Sequence, residues 1–218
     1  MSPDALVADR VHREIKQRIL AGKYASGTSL TVQSLADIFG TSISPVRDAL
    51  NRLVGERLVE IQPAGGFMLP EITSARAYNL YSLHADLVRM VVKVMAGIDT
   101  LEPPPSYLSD QTADGPAVAA ATSQFFALLA GFSPNREHLG AIVQTGERLA
   151  LLRLHEGSIA KHGGELAGLW NVTRSGNRNA TRIAMWHYHR RRLLRVEGIS
   201  IATTRGLIEP KDSRNRRF

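Results

Sequence analysis

The residues of this 218-residue chain whose types and spacing could do chemistry lie between positions 33 and 66. Arg47 is central: a guanidinium forms two parallel hydrogen bonds to a guanine edge, or clamps a phosphate. Thr41, Ser42, Ser44 and Asn51 around it supply hydroxyls and an amide that supplement such contacts, and Gln33 and Arg52 supply two further donors. Gly65-Gly66, with no side chains, makes a tip slim enough for a narrow minor groove. These are nucleic-acid-binding groups rather than catalytic ones. No Gly-rich phosphate loop, G-x-S-x-G elbow or H-E-x-x-H pair is spelled anywhere, and the absence of cysteine excludes disulfides and thiolate metal sites. The chain is expected to be no enzyme and to carry no cofactor.

Two short helices, a turn and a two-stranded wing must position those groups. Leu30, Leu35, Ile38 and Phe39 recur at helical spacing, and Gly40 ends that helix where a positive φ is wanted. The spacing predicts a second helix capped by Ser44 with Pro45 at its first position, burying Val46, Ala49, Leu50 and Leu53 and leaving Arg47, Asp48, Asn51 and Arg52 outward. Leu58, Val59 and Ile61 read as a strand, Pro63-Ala64-Gly65-Gly66 as a turn, and Phe67-Met68-Leu69 as the partner strand. This is the pattern of a winged helix-turn-helix, whose second helix docks in the major groove by its positively polarised N-terminus.

The segment Thr41-Ser42-Ile43-Ser44-Pro45-Val46-Arg47-Asp48-Ala49-Leu50 resembles the V-S-R-x-P-V-R-E-A-L recognition segment of the GntR-type bacterial regulators. The resemblance extends upstream through Val11, Ile15 and Ile19-Leu20-Ala21-Gly22 and covers about residues 5 to 70. It implies a homodimer on a double-stranded operator with an inverted repeat. The chain departs from the family pattern at four places. Ile43 stands where the family has its first DNA-contacting arginine, Val32 where it has glutamate, Gln33 where arginine is common, and Arg57 where it has glycine. Ile43→Arg is accordingly expected to tighten binding.

The net charge of +7 is unevenly placed. Residues 1–72 carry eight basic and eight acidic side chains, 73–173 seven and nine, and 174–218 twelve and three. DNA binding is therefore read from the motif and not from overall charge. Beyond residue 72 the apolar spacing predicts helices over about 72–97, 116–131, 134–155, 158–173 and 177–197, with a Pro-rich loop at 99–116 and no strand. The expected domains are 1–72, a helical domain at 73–200 and a basic tail at 201–218. No apolar run is long enough to span a bilayer, and a cytoplasmic location is expected.

The helical region weakly resembles the FCD class of GntR ligand domains, many of which hold a carboxylate effector through a metal bound by one aspartate and three histidines. In the register of Phe125–Asn135, Thr122 replaces the aspartate and Phe126 the first histidine, and Leu166 falls at a later histidine. No metal is therefore expected. His187 and His189 are two apart on a helix and point about 200° apart, so they cannot chelate one ion together. Arg178, Arg182, His189 and Arg192 share a helix face whose readings include solvated surface and a pocket for a small acidic effector. Arg178, Arg182, His187 and Phe126 are the effector candidates. Ile183, Trp186, Leu193 and Leu194 are expected to join the bundle core or a dimer interface.

Taken together, the chain reads as mostly α: an N-terminal winged helix-turn-helix of three helices and a wing, then an all-helical bundle. The expected function is a dimeric, sequence-specific transcription regulator of GntR type, responding to an effector through its helical domain. The alternative is a ligand-binding or scaffold protein derived from such regulators, with weakened DNA binding.

Overall fold

A computed structural model of the protein describes residues 3–109, 114–157 and 159–206. The chain divides into two compact units, with one boundary between Ile72 and Thr73 and the helical unit running over Thr73–Ser200.

The first unit contains α1 (Pro3–Leu20), β1 (Ser29–Leu30), α2 (Val32–Phe39), α3 (Ile43–Gly55), β2 (Glu60–Ile61) and β3 (Phe67–Met68). Val11, Ile15 and Ile19 of α1 meet Leu35 and Phe39 of α2 and Val46, Leu50 and Leu53 of α3 in one apolar core, closed by Leu58, Val59 and Leu69. Each fully buried Leu there contributes roughly 1.5–3 kcal/mol, which is how so small a unit holds its shape. Gly40 ends α2 at φ 59°, and the Thr41 N–H reaches back to the Ala36 carbonyl at 3.0 Å.

The structure corrects local details of the sequence reading. Leu30 belongs to β1, so the wing sheet has three antiparallel strands in the order β1-β3-β2, with Ser29 opposite Met68 and Glu60 also opposite Met68. Ile38 points out of the core. The cap of α3 is Ser42 rather than Ser44, and Pro45 is the third helical residue. Its missing N–H still costs nothing, because the first four N–H groups of a helix have no partner within it.

The helical unit holds α4 (Ser74–Val94), a 3-10 turn (Ile98–Thr100), α5 (Ser106–Ser109), α6 (Gly115–Gly131), α7 (Arg136–Arg148), α8 (Ala150–Arg153), α9 (Ile159–Arg174) and α10 (Arg178–Leu194). A further helix, α11 (Val196–Gly206), begins in it and covers the start of the segment read as a tail. Arg214, Arg216 and Arg217 of that tail lie outside the described residues. Side-chain caps set the starts of four helices: Thr73 for α4, Asp114 for α6, Asn135 for α7 and Asn177 for α10. Val88, Val91, Phe125, Phe126, Leu129, Ile142, Trp170, Met185 and Tyr188 form the centre of the core.

The helix expected over 134–155 is broken at Leu149 into α7 and α8. The loop expected over 99–116 contains the 3-10 turn and α5. Gly163, where the helical pattern weakens, lies inside an unbroken α9. A Cβ there would stand 3.1 Å from the Leu108 carbonyl oxygen, so the glycine is what lets α5 approach.

Candidate nucleic-acid interface

On α3 the buried residues are Pro45, Val46, Ala49, Leu50 and Leu53. The opposite face carries Ile43, Arg47 and Asn51, each four residues from the next and all exposed. At about 100° per residue each step drifts by about 40°, so the three side chains form one slanting row from the first turn toward the middle of the helix. Arg47 makes no hydrogen bond or ion pair among the described residues, and its guanidinium is free to meet a ligand. Ser42 and Ser44 are exposed beside it, and the Ser42 hydroxyl is not used as a cap. The first N–H groups of this helix have no partner within it and point out of its N-terminal end, which is the electrostatic arrangement that favours phosphate.

Two of the sequence-proposed donors are spent within the fold. Arg52 Nη1 donates to Asp9 of α1, and that hydrogen bond, outweighing burial, lowers the Asp9 carboxyl below its ordinary range. Gln33 Nε2 donates to Asp37 Oδ1 at 3.0 Å along α2. At the far end of α3, Glu56 takes His12 at 2.7 Å and Lys16 at 2.9 Å, tying this helix to α1. Thr41, half-buried, sits in the turn between α2 and α3.

The wing tip is built by backbone geometry. Gly65 N–H donates to the Gln62 carbonyl at 2.9 Å, Gln62 N–H to the Gly66 carbonyl at 3.0 Å, and φ is 87° at Gly65 and 94° at Gly66. Only glycine adopts two successive conformations of that kind without strain. Gln62 Nε2 also braces β2 on Ser29 Oγ at 3.0 Å.

The effector candidates do not converge in the helical unit. Arg178 donates to the Met95 carbonyl at 2.8 Å and to that of Lys93, satisfying the end of α4. Arg182 reaches Asn179 at 3.0 Å and His187 stands edge-on to Trp186, and these two help line an open cleft of about 820 Å³ between α4 and α10. Phe126 is in the core, edge-on to His84 with ring centroids 4.5 Å apart. The metal-binding arrangement of the FCD class does not fit these residues: the Thr122 hydroxyl donates to the Val118 carbonyl at 2.8 Å and Phe126 has no donor atom. Among the described residues no three His, Asp or Glu side chains are disposed to share an ion.

What the sequence reading missed is a polar core. His84 of α4 and His189 of α10 are buried with His84 Nδ1 and His189 Nε2 2.8 Å apart. Their protonation follows from their partners. The Met185 carbonyl can only accept, so His189 Nδ1 carries a hydrogen and donates to it at 2.8 Å. His189 Nε2 then accepts from His84 Nδ1–H, and His84 Nε2 accepts from Arg153 Nη2 at 3.4 Å. Both imidazoles are therefore neutral. Burial, reinforced by Arg153, pushes the His84 pKa well below its ordinary value, and burial likewise takes His189 from 6.5 to about 3. Beside this chain, Arg192 donates to Glu156 and Glu165, and Glu156 accepts from Tyr81 at 2.7 Å. Their signal was present but unread: Tyr81 and His84 sit in the same helical row as Ala77, Leu80, Val88 and Val91, whereas Leu83 is exposed. On α10 the core, one of the two places expected for the apolar row, is excluded for Ile183, Trp186 and Leu194. Met185, Tyr188, His189 and Arg192 face inward, and Ile183, Trp186 and Leu194 face out.

A recognition helix with a free arginine on its exposed first turns, a glycine-tipped wing and a shared apolar core define a winged helix-turn-helix of the DNA-binding kind. Residues 7–69 match the family described as bacterial regulatory proteins, gntR family, and this unit is a GntR-type winged helix-turn-helix. The chain is 30% identical over 94 residues to the HTH-type transcriptional regulator McbR of Escherichia coli (strain K12), covering 43% of this chain and 42% of that protein. It is 32% identical over 94 residues to the gluconate operon transcriptional repressor of Bacillus subtilis (strain 168), covering 43% and 38%. The chain thus matches less than half the length of either relative. Its fold is similar over nearly its whole length to the solved structures of E. coli McbR/YncC and of a GntR-type transcriptional regulator from Rhodococcus sp. RHA1. The first has a TM-score of 0.64 at 18% identity, covering 90% of this chain and 98% of that one. The second has a TM-score of 0.67 at 15% identity, covering 88% and 97%.

Proposed function

We propose that the protein is a sequence-specific, DNA-binding transcription regulator of GntR type that acts as a homodimer on a two-fold operator. The observation that carries this reading is the unpaired, exposed Arg47 in one row with Ile43 and Asn51 on α3. Ser42, Ser44, Arg47 and Asn51 meet the major groove and the Gly65-Gly66 tip meets the minor groove. Gln33 and Arg52, held by Asp37 and Asp9, shape the surface more than they read it.

The helical unit supplies the dimer contact and the effector response. One winged helix spans only a few base pairs, and two-fold operators match two-fold proteins. The outward Ile183, Trp186 and Leu194 of α10, with Tyr78 of α4, are the apolar surface suited to a second copy. Those four residues also line the cleft edged by Asp86, Arg89, Arg182 and Arg190, so a small acidic effector, held without a metal, would compete with the second copy for this surface. No described helix is long and apolar enough to cross a membrane, which accords with a cytoplasmic regulator.

Selection from random DNA followed by gel-shift titration tests the reading. Arg47→Ala should weaken the selected site by about 1–3 kcal/mol per half-site, with folding intact. Unchanged affinity would refute the assignment. Sedimentation should give a dimer at micromolar concentration with and without DNA, and a monomer in both conditions would refute the two-fold model.

A further inference from the structure

We infer that Ile43 reads the 5-methyl group of one thymine in each half-site, an assignment that rests on the DNA-binding reading above. Ile43 is the first residue of α3 and is 44% exposed. It is absent from the apolar core of its unit and from the partly buried residues packed around that core. Neither helix propensity nor capping accounts for it: a β-branched residue is a mediocre helix former, and the cap position belongs to Ser42. What Ile43 has is position. It starts the row that continues through Arg47 and Asn51, so it enters the groove with the N-terminal turn that touches base edges.

The chemistry of the groove selects its partner. Among the four base-pair orientations, the only apolar group on the major-groove edge is the thymine methyl. An isoleucine placed over guanine, adenine or cytosine would instead cover donors or acceptors it cannot satisfy, and that penalty opposes those bases. The branched side chain is stiff at χ1, so little rotamer freedom is lost in making the contact. Charge points the same way. With eight basic and eight acidic residues in positions 1–72, this unit has no electrostatic surplus for the phosphates, which leaves a larger share of its discrimination to contacts with the bases.

The experiment replaces each thymine of the selected duplex, one at a time, by deoxyuridine, which removes the methyl and nothing else. The full-length chain is titrated against each duplex. One thymine per half-site should prove methyl-sensitive, weakening binding about 4-fold singly and about 15-fold when both half-sites are changed, as expected for one buried methyl each. Ile43→Ala should bind the thymine and deoxyuridine duplexes equally, and Ile43→Val should keep the sensitivity. Ile43→Arg should move the selected base from thymine to guanine at that position. Thermal melts of all three variants should match the parent, because the side chain supports no core. If Arg47→Ala loses binding but no thymine is methyl-sensitive, or if the sensitivity survives Ile43→Ala, the thymine contact is overturned alone. If Arg47→Ala binds unchanged, the DNA reading and the thymine contact fall together.

Discussion

Replacing Arg192 by methionine should destabilise the helical unit by about 3–5 kcal/mol, because it strands a buried carboxylate. The side chains of Arg192 and Glu156 are only 6% and 5% exposed. Arg192 Nε and Nη2 lie 2.9 and 2.7 Å from Glu156 Oε2, Nη1 is 2.8 Å from Glu165 Oε2, and the guanidinium stacks 3.5 Å from the Tyr188 ring centroid. At an effective dielectric of about 20, unit charges about 4 Å apart attract by about 4 kcal/mol, and the desolvation already incurred by Glu156 is not returned when its partner leaves. Glu165 loses less, since it is more exposed and keeps Arg191. Methionine has similar length and fills the site, so the cost is one of charge and not of a cavity. The companion variant Glu156→Gln removes the second charge while its amide oxygen still accepts from Tyr81. The double variant should therefore recover at least about 2 kcal/mol of the sum of the single losses. Urea unfolding followed by tryptophan fluorescence is the suitable assay, because both tryptophans, Trp170 and Trp186, lie in the helical unit. A loss below about 1 kcal/mol in Arg192→Met, or single effects that simply add, would refute the reasoning.

Arg57, the one described non-glycine residue with positive φ, sits at 60°, and Arg57→Gly should stabilise the winged unit by about 1 kcal/mol. Relief of left-handed strain, on the order of 1–3 kcal/mol, outweighs the extra freedom glycine gives the unfolded chain, and circular-dichroism melts check the sign. The neutral histidines predict a stability that is flat above pH 6.5 and falls below it. The unfolded imidazole takes a proton at its ordinary pKa of 6.5, whereas folded His189 holds off until about pH 3. The loss is about 1.4 kcal/mol per pH unit for that residue, or about 2 kcal/mol by pH 5, before most carboxylates titrate. Urea titrations between pH 7.5 and 5, compared with His189→Gln, should show the slope shrink in the variant.

The winged unit was legible in the sequence because its information is local. Gly40, Pro45 and the Gly65-Gly66 pair dictate backbone conformations by their own covalent structure, and Val46, Ala49, Leu50 and Leu53 mark one helix face by spacing alone. Even there, tertiary structure placed Leu30 in a third strand, since pairing with Phe67 is a choice between segments 37 positions apart that no local pattern encodes. It also paired Arg52 and Gln33 with acids on the surface of their own unit, because whether a donor is free depends on what lies within about 3 Å of it. The existence of the helices in the second unit could likewise be read from apolar recurrence. The rotation of α10 could not. Periodicity marks Ile183, Trp186 and Leu194 as an apolar row for the core or for a second copy without choosing between them, and the fold leaves that row outside and buries His189 and Arg192. That arrangement holds because Tyr81, His84, Arg153, Glu156 and Glu165 arrive from other segments to partner His189 and Arg192, and a buried charge is tolerated only when its partners are already in place. Periodicity therefore told where this chain is helical, and the mutual satisfaction of distant polar groups decided which way its last long helix faces.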